Sequence, residues 1–158
     1  MSDAVSYRIM QPDDVAGVSA LILASFDEFI RPEYTQLGID EFRRFVEPAA
    51  IVQRTQADHL VLVAVAGDAP VGMIEIRQHN HVALLFVDKR YQHHGVGTEL
   101  LGRAMAEARA HNADLARVTV NSSRYGVPAY EKLGFRQTGP EREVKGIRFI
   151  PMAKQLDD

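Results

Sequence analysis

The sequence predicts one mixed α/β (α+β) domain over residues 1–158, with a central, mostly antiparallel mixed sheet of about seven strands flanked by about four helices. Three observations carry this. In mid-chain, the apolar runs His59–Ala66, Val71–Arg77 and His81–Val87 follow one another across short polar turns, as the strands of an antiparallel meander do. The next segment switches to helical spacing, with Val96, Leu100, Leu101, Ala104, Met105 and Ala108 on one face as far as about His111. The chain has 158 residues, 46% hydrophobic and 25% charged, enough to build an ordinary globular core.

Each element follows from its residues. Val5–Met10 alternates as a first strand, and Gln11-Pro12-Asp13-Asp14 reads as its end and a helix start. Val15, Val18, Ile22, Phe26 and Phe29 recur at three- and four-residue spacing, one apolar helix face, which Arg31-Pro32 breaks. A second helix is read from Asp40, with Phe42, Phe45 and Val46 inward and Pro48 kinking or ending it. Punctuation elsewhere between Glu28 and Ala57 is weak. Gly67-Asp68-Ala69-Pro70 and Gln78-His79-Asn80 are the meander turns. Arg117–Asn121 reads as a strand, and Val127–Leu133 as a short helix closed by Gly134. Phe135–Thr138 and Ile147–Ala153 read as a final hairpin.

Composition narrows the chemistry. With no cysteine, disulfide scaffolds, thiol nucleophiles and thiolate metal sites drop out. A formal charge of −3 without a long basic run speaks against a nucleic-acid binder. Met1-Ser2-Asp3-Ala4 has no basic stretch followed by an apolar one, so no secretory leader is expected, and no apolar run approaches the roughly 20 residues of a membrane helix. The expectation is a cytoplasmic protein with no membrane partner.

The most informative segment is Leu84–Thr98, in which a buried strand turns through Gln92-His93-His94-Gly95-Val96-Gly97 into a helix. The free N–H groups at a helix start favour anions, and glycines let a phosphate or pyrophosphate come close. A plain tight turn would use the same glycines. The P-loop pattern is absent. A dinucleotide fingerprint fails because Leu100 stands where its third glycine belongs and because the loop follows a meander rather than opening a parallel unit.

These residues resemble the GCN5-related N-acetyltransferase (GNAT) superfamily. Gln92-His93-His94-Gly95-Val96-Gly97 matches that family's pyrophosphate motif, Gln/Arg-x-x-Gly-x-Gly/Ala. Leu85-Phe86-Val87-Asp88 is similar to its fourth strand and exit. Asn121 followed by Tyr130-Glu131-Lys132-Leu133-Gly134-Phe135 resembles its second block. The element order agrees along nearly the whole chain. The resemblance implies an acetyl-CoA-dependent N-acetyltransferase with acetyl-CoA as co-substrate and no metal, acting on a small-molecule or peptide amine, in a fold whose members often form homodimers. It implies that Gln92, His93, His94, Gly95, Val96, Gly97 and Thr98 hold the pyrophosphate. Phe86 and Val87 would engage the pantetheine through their backbone, Asn121 would bond to it nearby, and Tyr130 would protonate the departing thiolate. The histidines are a departure from the more usual Arg, Lys or Gly, and a neutral imidazole supplies no fixed charge. From Lys89 to Arg109 four cations oppose two carboxylates, a local excess of 4 − 2 = +2.

Glu75 is the base candidate. It sits between two isoleucines and shares a strand face with Val71, Met73 and Arg77, where a carboxylate is costly unless partnered or functional. An ion pair with Arg77 or another cation on an exposed strand face is the alternative reading, and His81 is the second-choice base. His79 and His81 are two apart on one strand face and His93-His94 follow, which raises zinc, but no third ligand stands at a fixed spacing. Ser122-Ser123 lacks a nucleophile motif and reads as loop hydroxyls. Tyr34 and Arg31 are candidates for the acceptor side. A non-catalytic acyl-CoA sensor on the same fold is the competing function.

Overall fold

In the computed structural model, which describes residues 4–156, the chain runs β1 (Val5–Ile9), α1 (Val15–Ser25), α2 (Gln36–Phe45), α3 (Pro48–Thr55), β2 (His59–Ala66), β3 (Ala69–Arg77) and β4 (His81–Val87). It continues through α4 (Val96–His111), β5 (Arg117–Ser122), α5 (Val127–Lys132), β6 (Arg136–Gln137), β7 (Arg142–Val144) and β8 (Ile147–Gln155). Met1-Ser2-Asp3, on which the reading of the leader rests, lies outside the described residues, as does Asp157-Asp158.

The strands form one mixed sheet of eight, in the order β1-β2-β3-β4-β5-β8-β6 with β7 on β8, and only the β4–β5 pairing is parallel. The mixed α/β class stands, with one strand and one helix more than the sequence suggested. The extra strand is β7, which pairs with the first half of β8 across a Lys145-Gly146 turn at φ 54° and 79°. Two successive positive φ values are what a two-residue hairpin turn requires. The final hairpin is therefore β7–β8, and the short β6 pairs with Met152 and Ala153 further along. The extra helix arises at Pro48. Rather than kinking or ending a helix, this proline occupies the first turn of α3, where its missing N–H costs nothing. Helix α2 starts earlier than Asp40, at Gln36, because Thr35 caps it by accepting from Gly38 N.

Both faces of the meander are buried, which is why β2 and β3 read as nearly continuous apolar runs. Leu62, Ala64, Ile74, Ile76 and Val82 pack under Leu100, Ala104 and Ala108 of α4. The opposite face, with Val61, Val63, Met73 and Leu84, packs against Val18, Ile22 and Phe26 of the first helical segment, Phe42 of α2 and Ile51 of α3. Phe45 departs from expectation: it is exposed and lies under the Arg54 guanidinium at 3.6 Å, while Val46 takes the interior position. After Ser25 the chain widens into a π-helical turn, Phe26–Ile30. This turn buries Ile30 and leaves Phe29 half-buried at the edge of the same cluster.

Candidate active site

Strand β4 pairs with β3 along most of its length but meets β5 only at His81–Thr119 and Val82–Val120. A register shift after Glu75 opposite β4 accompanies the divergence. Beyond Val82 the two parallel strands separate, so the β5-facing edge of Leu84–Val87 carries no ladder partner there. A cleft of about 1090 Å³ runs through this gap, from the Gly95–Thr98 turn to the faces of α2 and the β7–β8 hairpin.

Of the sequence-nominated residues, Tyr130, Phe86, Val87, Gln92, His93, Gly95, Val96, Gly97, Thr98 and Asn121 line this one cleft. His94 and Glu75 do not. His94 is exposed at the outer side of the loop. Gln92 braces the loop, its side-chain amide donating to Val87 O at 3.0 Å. Gly95 has φ +83°, a left-handed conformation that disfavours L side chains, and no side chain caps the N-terminus of α4 behind it. The first N–H groups of α4 thus face the cleft with the positive end of the helix dipole. Three of the four cations in the local excess are paired with carboxylates. Lys89 is held by Glu28 at 3.2 Å, Arg90 by Asp88 at 3.1 Å and Arg103 by Glu99 at 2.6 Å. Of the groups at this turn, the backbone N–H groups are the donors left free to meet an anion.

Tyr130 rises from α5, edge-on to Phe135 at 5.3 Å between ring centroids. Burial pushes its phenol above the usual range, so it stays protonated, and its hydroxyl has no protein partner among the described residues. Asn121 stands at the end of β5. The neighbouring hydroxyls are spent locally, Ser122 Oγ donating to Ser123 O at 2.7 Å and Ser123 Oγ accepting from Gly126 N at 3.0 Å.

Glu75 is fully buried on β3, and its partner is not Arg77. Arg54 of α3 donates to both carboxylate oxygens, at 2.7 and 3.1 Å, and His59 Nδ1 lies 2.5 Å from Oε2. Its carboxylate is separated from the cleft by Arg54 and His59, both of which line it. Sequence reasoning gave neither residue a role. The available signal was register: short meander turns bring His59, Arg77 and His81 to the same level on β2, β3 and β4.

His81 lines the cleft and shares a hydrogen bond with Thr119 Oγ1 at 2.7 Å. Burial, then the fields of Arg77 and His59, lower its pKa from 6.5 to about 4, so it is neutral at physiological pH. The paired-ligand geometry suggested for His79 and His81 does not form. His79 sits in the β3–β4 turn at φ 63° and stacks on His111, 4.2 Å away. The depressed His81 pKa has a testable consequence. Between about 4 and 6.5 the unfolded chain binds a proton that the folded chain refuses. Stability from this site is complete above about pH 6.5 and is lost as pH falls toward 4, by about 1–2 kcal/mol after solvent screening. Urea unfolding of the wild type and His81→Gln near neutrality and in mild acid should show a smaller acid loss in the variant. Equal slopes would refute the assignment.

The acceptor side is closed by contacts across the cleft. Phe29 stacks on Tyr125 at 4.6 Å, Glu33 accepts from Arg124 N at 3.1 Å, and the Arg124 side chain pairs with Glu141. Tyr34 lines the cleft, its pKa pushed up to about 12 by burial and then by Glu33. Arg31 lies outside the wall, 3.8 Å from Asp27.

Residues 30–156 match the family model described as an acetyltransferase (GNAT) domain. An uncharacterized N-acetyltransferase of Bacillus subtilis (strain 168), YitH, is 28% identical over 95 residues, 59% of this chain and 32% of that protein. The match therefore spans about a third of the relative's length. Among solved structures, a GCN5-related N-acetyltransferase from Rhodopseudomonas palustris, also described as a class-II aminotransferase, superposes with a TM-score of 0.81 at 22% identity, covering 99% of this chain and 98% of its own. The PaiA N-acetyltransferase from Thermoplasma acidophilum, solved in complex with coenzyme A, gives 0.80 at 17% identity, covering 97% and 99%. No helix among the described residues is long and apolar enough to cross a membrane.

Proposed function

The chain belongs to the acetyltransferase (GNAT) family, and from that premise we propose that it works as a single cytoplasmic domain moving an acetyl group from acetyl-CoA directly to an amine. The observation that carries this reading is the continuity of one cleft from the uncapped start of α4, through the β4–β5 gap, to the row of polar residues at the far end of the sheet. Acetyl-CoA would supply the activated thioester. Space for it exists where a glycine demands no protein neighbour: a Cβ on Gly97 would meet nothing nearer than Val87 Cγ2 at 3.9 Å.

The residues divide the work. Backbone N–H groups from Gly95 to Thr98 take the pyrophosphate, with Gln92 and His93 shaping the turn. The unladdered edge of β4 at Phe86 and Val87 bonds the pantetheine and polarises the acetyl oxygen as it gains negative charge, and Asn121 adds a side-chain bond from β5. The amine must arrive neutral or lose a proton in the cleft. His59 can take up that proton relayed along the cleft by water, with Glu75 behind it orienting the ring and stabilising the imidazolium, so the base role read for Glu75 is exercised through His59. Tyr130, kept protonated by burial, donates to the leaving sulfur.

The test is thiol release from acetyl-CoA with a panel of amines, alongside calorimetric binding of coenzyme A. Acceptor-stimulated thiol is expected. Tight coenzyme binding with no amine response would instead support the acyl-CoA sensor. Tyr130→Phe should lower turnover about 100-fold while coenzyme affinity changes little. Unchanged turnover would remove Tyr130 from the leaving-group step.

A further inference from the structure

The acceptor half of the cleft has a charge pattern that the transfer reaction does not use. Strand register aligns His59 with Arg77, Arg77 with His81, and His81 with Thr119, forming a row across four strands. Arg77 is the cation in the middle of that row. The nearest carboxylate on its own strand, Glu75, is committed to Arg54 and His59. Among the described residues no carboxylate lies within 4.0 Å of Arg77, nor of Lys145, which the β7–β8 turn holds at the cleft wall. Among the described residues the only acidic side chain on the wall is Glu41, which Arg44 engages at 2.8 Å and whose carboxyl the field of Lys145 also helps to hold low. The acceptor half therefore offers unpaired positive charge and no free anion.

Resting on the transferase reading above, we propose that the acceptor is an ω-amino carboxylate, its amine directed to the β4–β5 gap and its carboxylate received by Arg77. Arg77 is exposed at the cleft wall, where an arginine fork can take a carboxylate through two parallel hydrogen bonds and its charge disfavours an acceptor with a second cation. Geometry sets the length. Arg77 pairs with His81 at the start of β4, whereas the open edge that polarises the acetyl oxygen lies at Phe86 and Val87. Strand residues advance roughly 3.3 Å each, so the two positions are separated by on the order of 10 Å or more. An α-amino acid, with both groups on one carbon, is too short even with the reach of the arginine side chain. An amine and a carboxylate several methylenes apart fit.

The test compares ε-aminocaproate, n-hexylamine, hexamethylenediamine and glycine as acceptors, reading thiol release from acetyl-CoA. The kcat/KM for ε-aminocaproate should exceed that for the diamine by roughly 10- to 100-fold, with hexylamine between them and glycine poor. Arg77→Gln should collapse the ratio of ε-aminocaproate to hexylamine toward one, and Arg77→Lys should keep part of it. A diamine used as well as the amino carboxylate overturns the proposal while leaving the transferase reading intact. Calorimetric binding of N-acetyl-ε-aminocaproate to coenzyme A-loaded protein separates the two claims. Arg77-dependent binding without thiol release from any amine would retain the carboxylate subsite and reject the transferase. Absence of such binding, or binding indifferent to Arg77, would reject the subsite.

Discussion

Replacing Gly97 with valine should lower coenzyme A affinity by about 100-fold or more while leaving the fold in place. Gly97 lies in the first turn of α4 at an ordinary helical conformation, and an added Cβ would meet only Val87 Cγ2, at 3.9 Å. Nothing in the protein's own packing explains a residue without a side chain there. Valine is a better helix former than glycine, so stability should stay within about 1 kcal/mol of wild type. Its methyls would nevertheless stand beside the N–H groups proposed to receive the pyrophosphate. Calorimetric titration with coenzyme A and thermal unfolding together read the two effects, and an unchanged Kd would exclude the turn from donor binding. Gly95 is a poorer probe, because φ +83° makes any side chain strain the backbone by about 1–2 kcal/mol. Gly38 gives the opposite contrast: a Cβ there would run into the Gly146 backbone, so its substitution should disturb the hairpin without touching the donor side.

Glu75→Ala should cost about 3–5 kcal/mol of stability, a large part of what a domain of this size possesses. The carboxylate is 0% exposed, and the Arg54 side chain that grips it is only 16% exposed. Removing the anion leaves a guanidinium without its counter-charge in a site with little water. Replacing Glu75 with leucine and Arg54 with methionine together should recover part of the loss, since the unpaired guanidinium is then gone and only His59 Nδ1 has lost its partner. Urea unfolding of the single and double variants measures the difference. A Glu75→Ala protein within about 1 kcal/mol of wild type would contradict the ion-pair account. The outcome also bears on catalysis, because a proton leaving the cleft reaches Glu75 only by way of His59 or Arg54, and Arg54 cannot accept one.

The residues nominated for the donor side come together in one cleft because neighbours in sequence are neighbours in space. The strand His81–Val87, the glycine turn and the amphipathic face of α4 are local patterns, and their residues share one cleft wall. Difficulty came where identity depends on partners far along the chain. Glu75 was recognised as an expensive carboxylate, but Arg77 at two residues' distance was the visible candidate partner, whereas the actual one is Arg54 on α3. Lys89, Arg90 and Arg103 counted as local positive charge until their carboxylates were found beside them. The π-helical turn at Phe26–Ile30 and the start of α3 at Pro48 lie in the weakly punctuated stretch, where tertiary packing overrides pattern.

The sequence by itself determined the mixed α/β class, the meander, the helix opened by Gly95 and Gly97, and hence the family resemblance. Period and turn chemistry act within a few residues and need no knowledge of the rest of the chain. Only the tertiary structure decided which charges are free. Ion pairing depends on distances of a few ångströms between groups as far apart in sequence as Glu28 and Lys89, or Arg54 and Glu75. Among the described residues that decision leaves Arg77 without a carboxylate within 4.0 Å and, on the proposed reading, leaves a pyrophosphate to the backbone N–H groups at the start of α4.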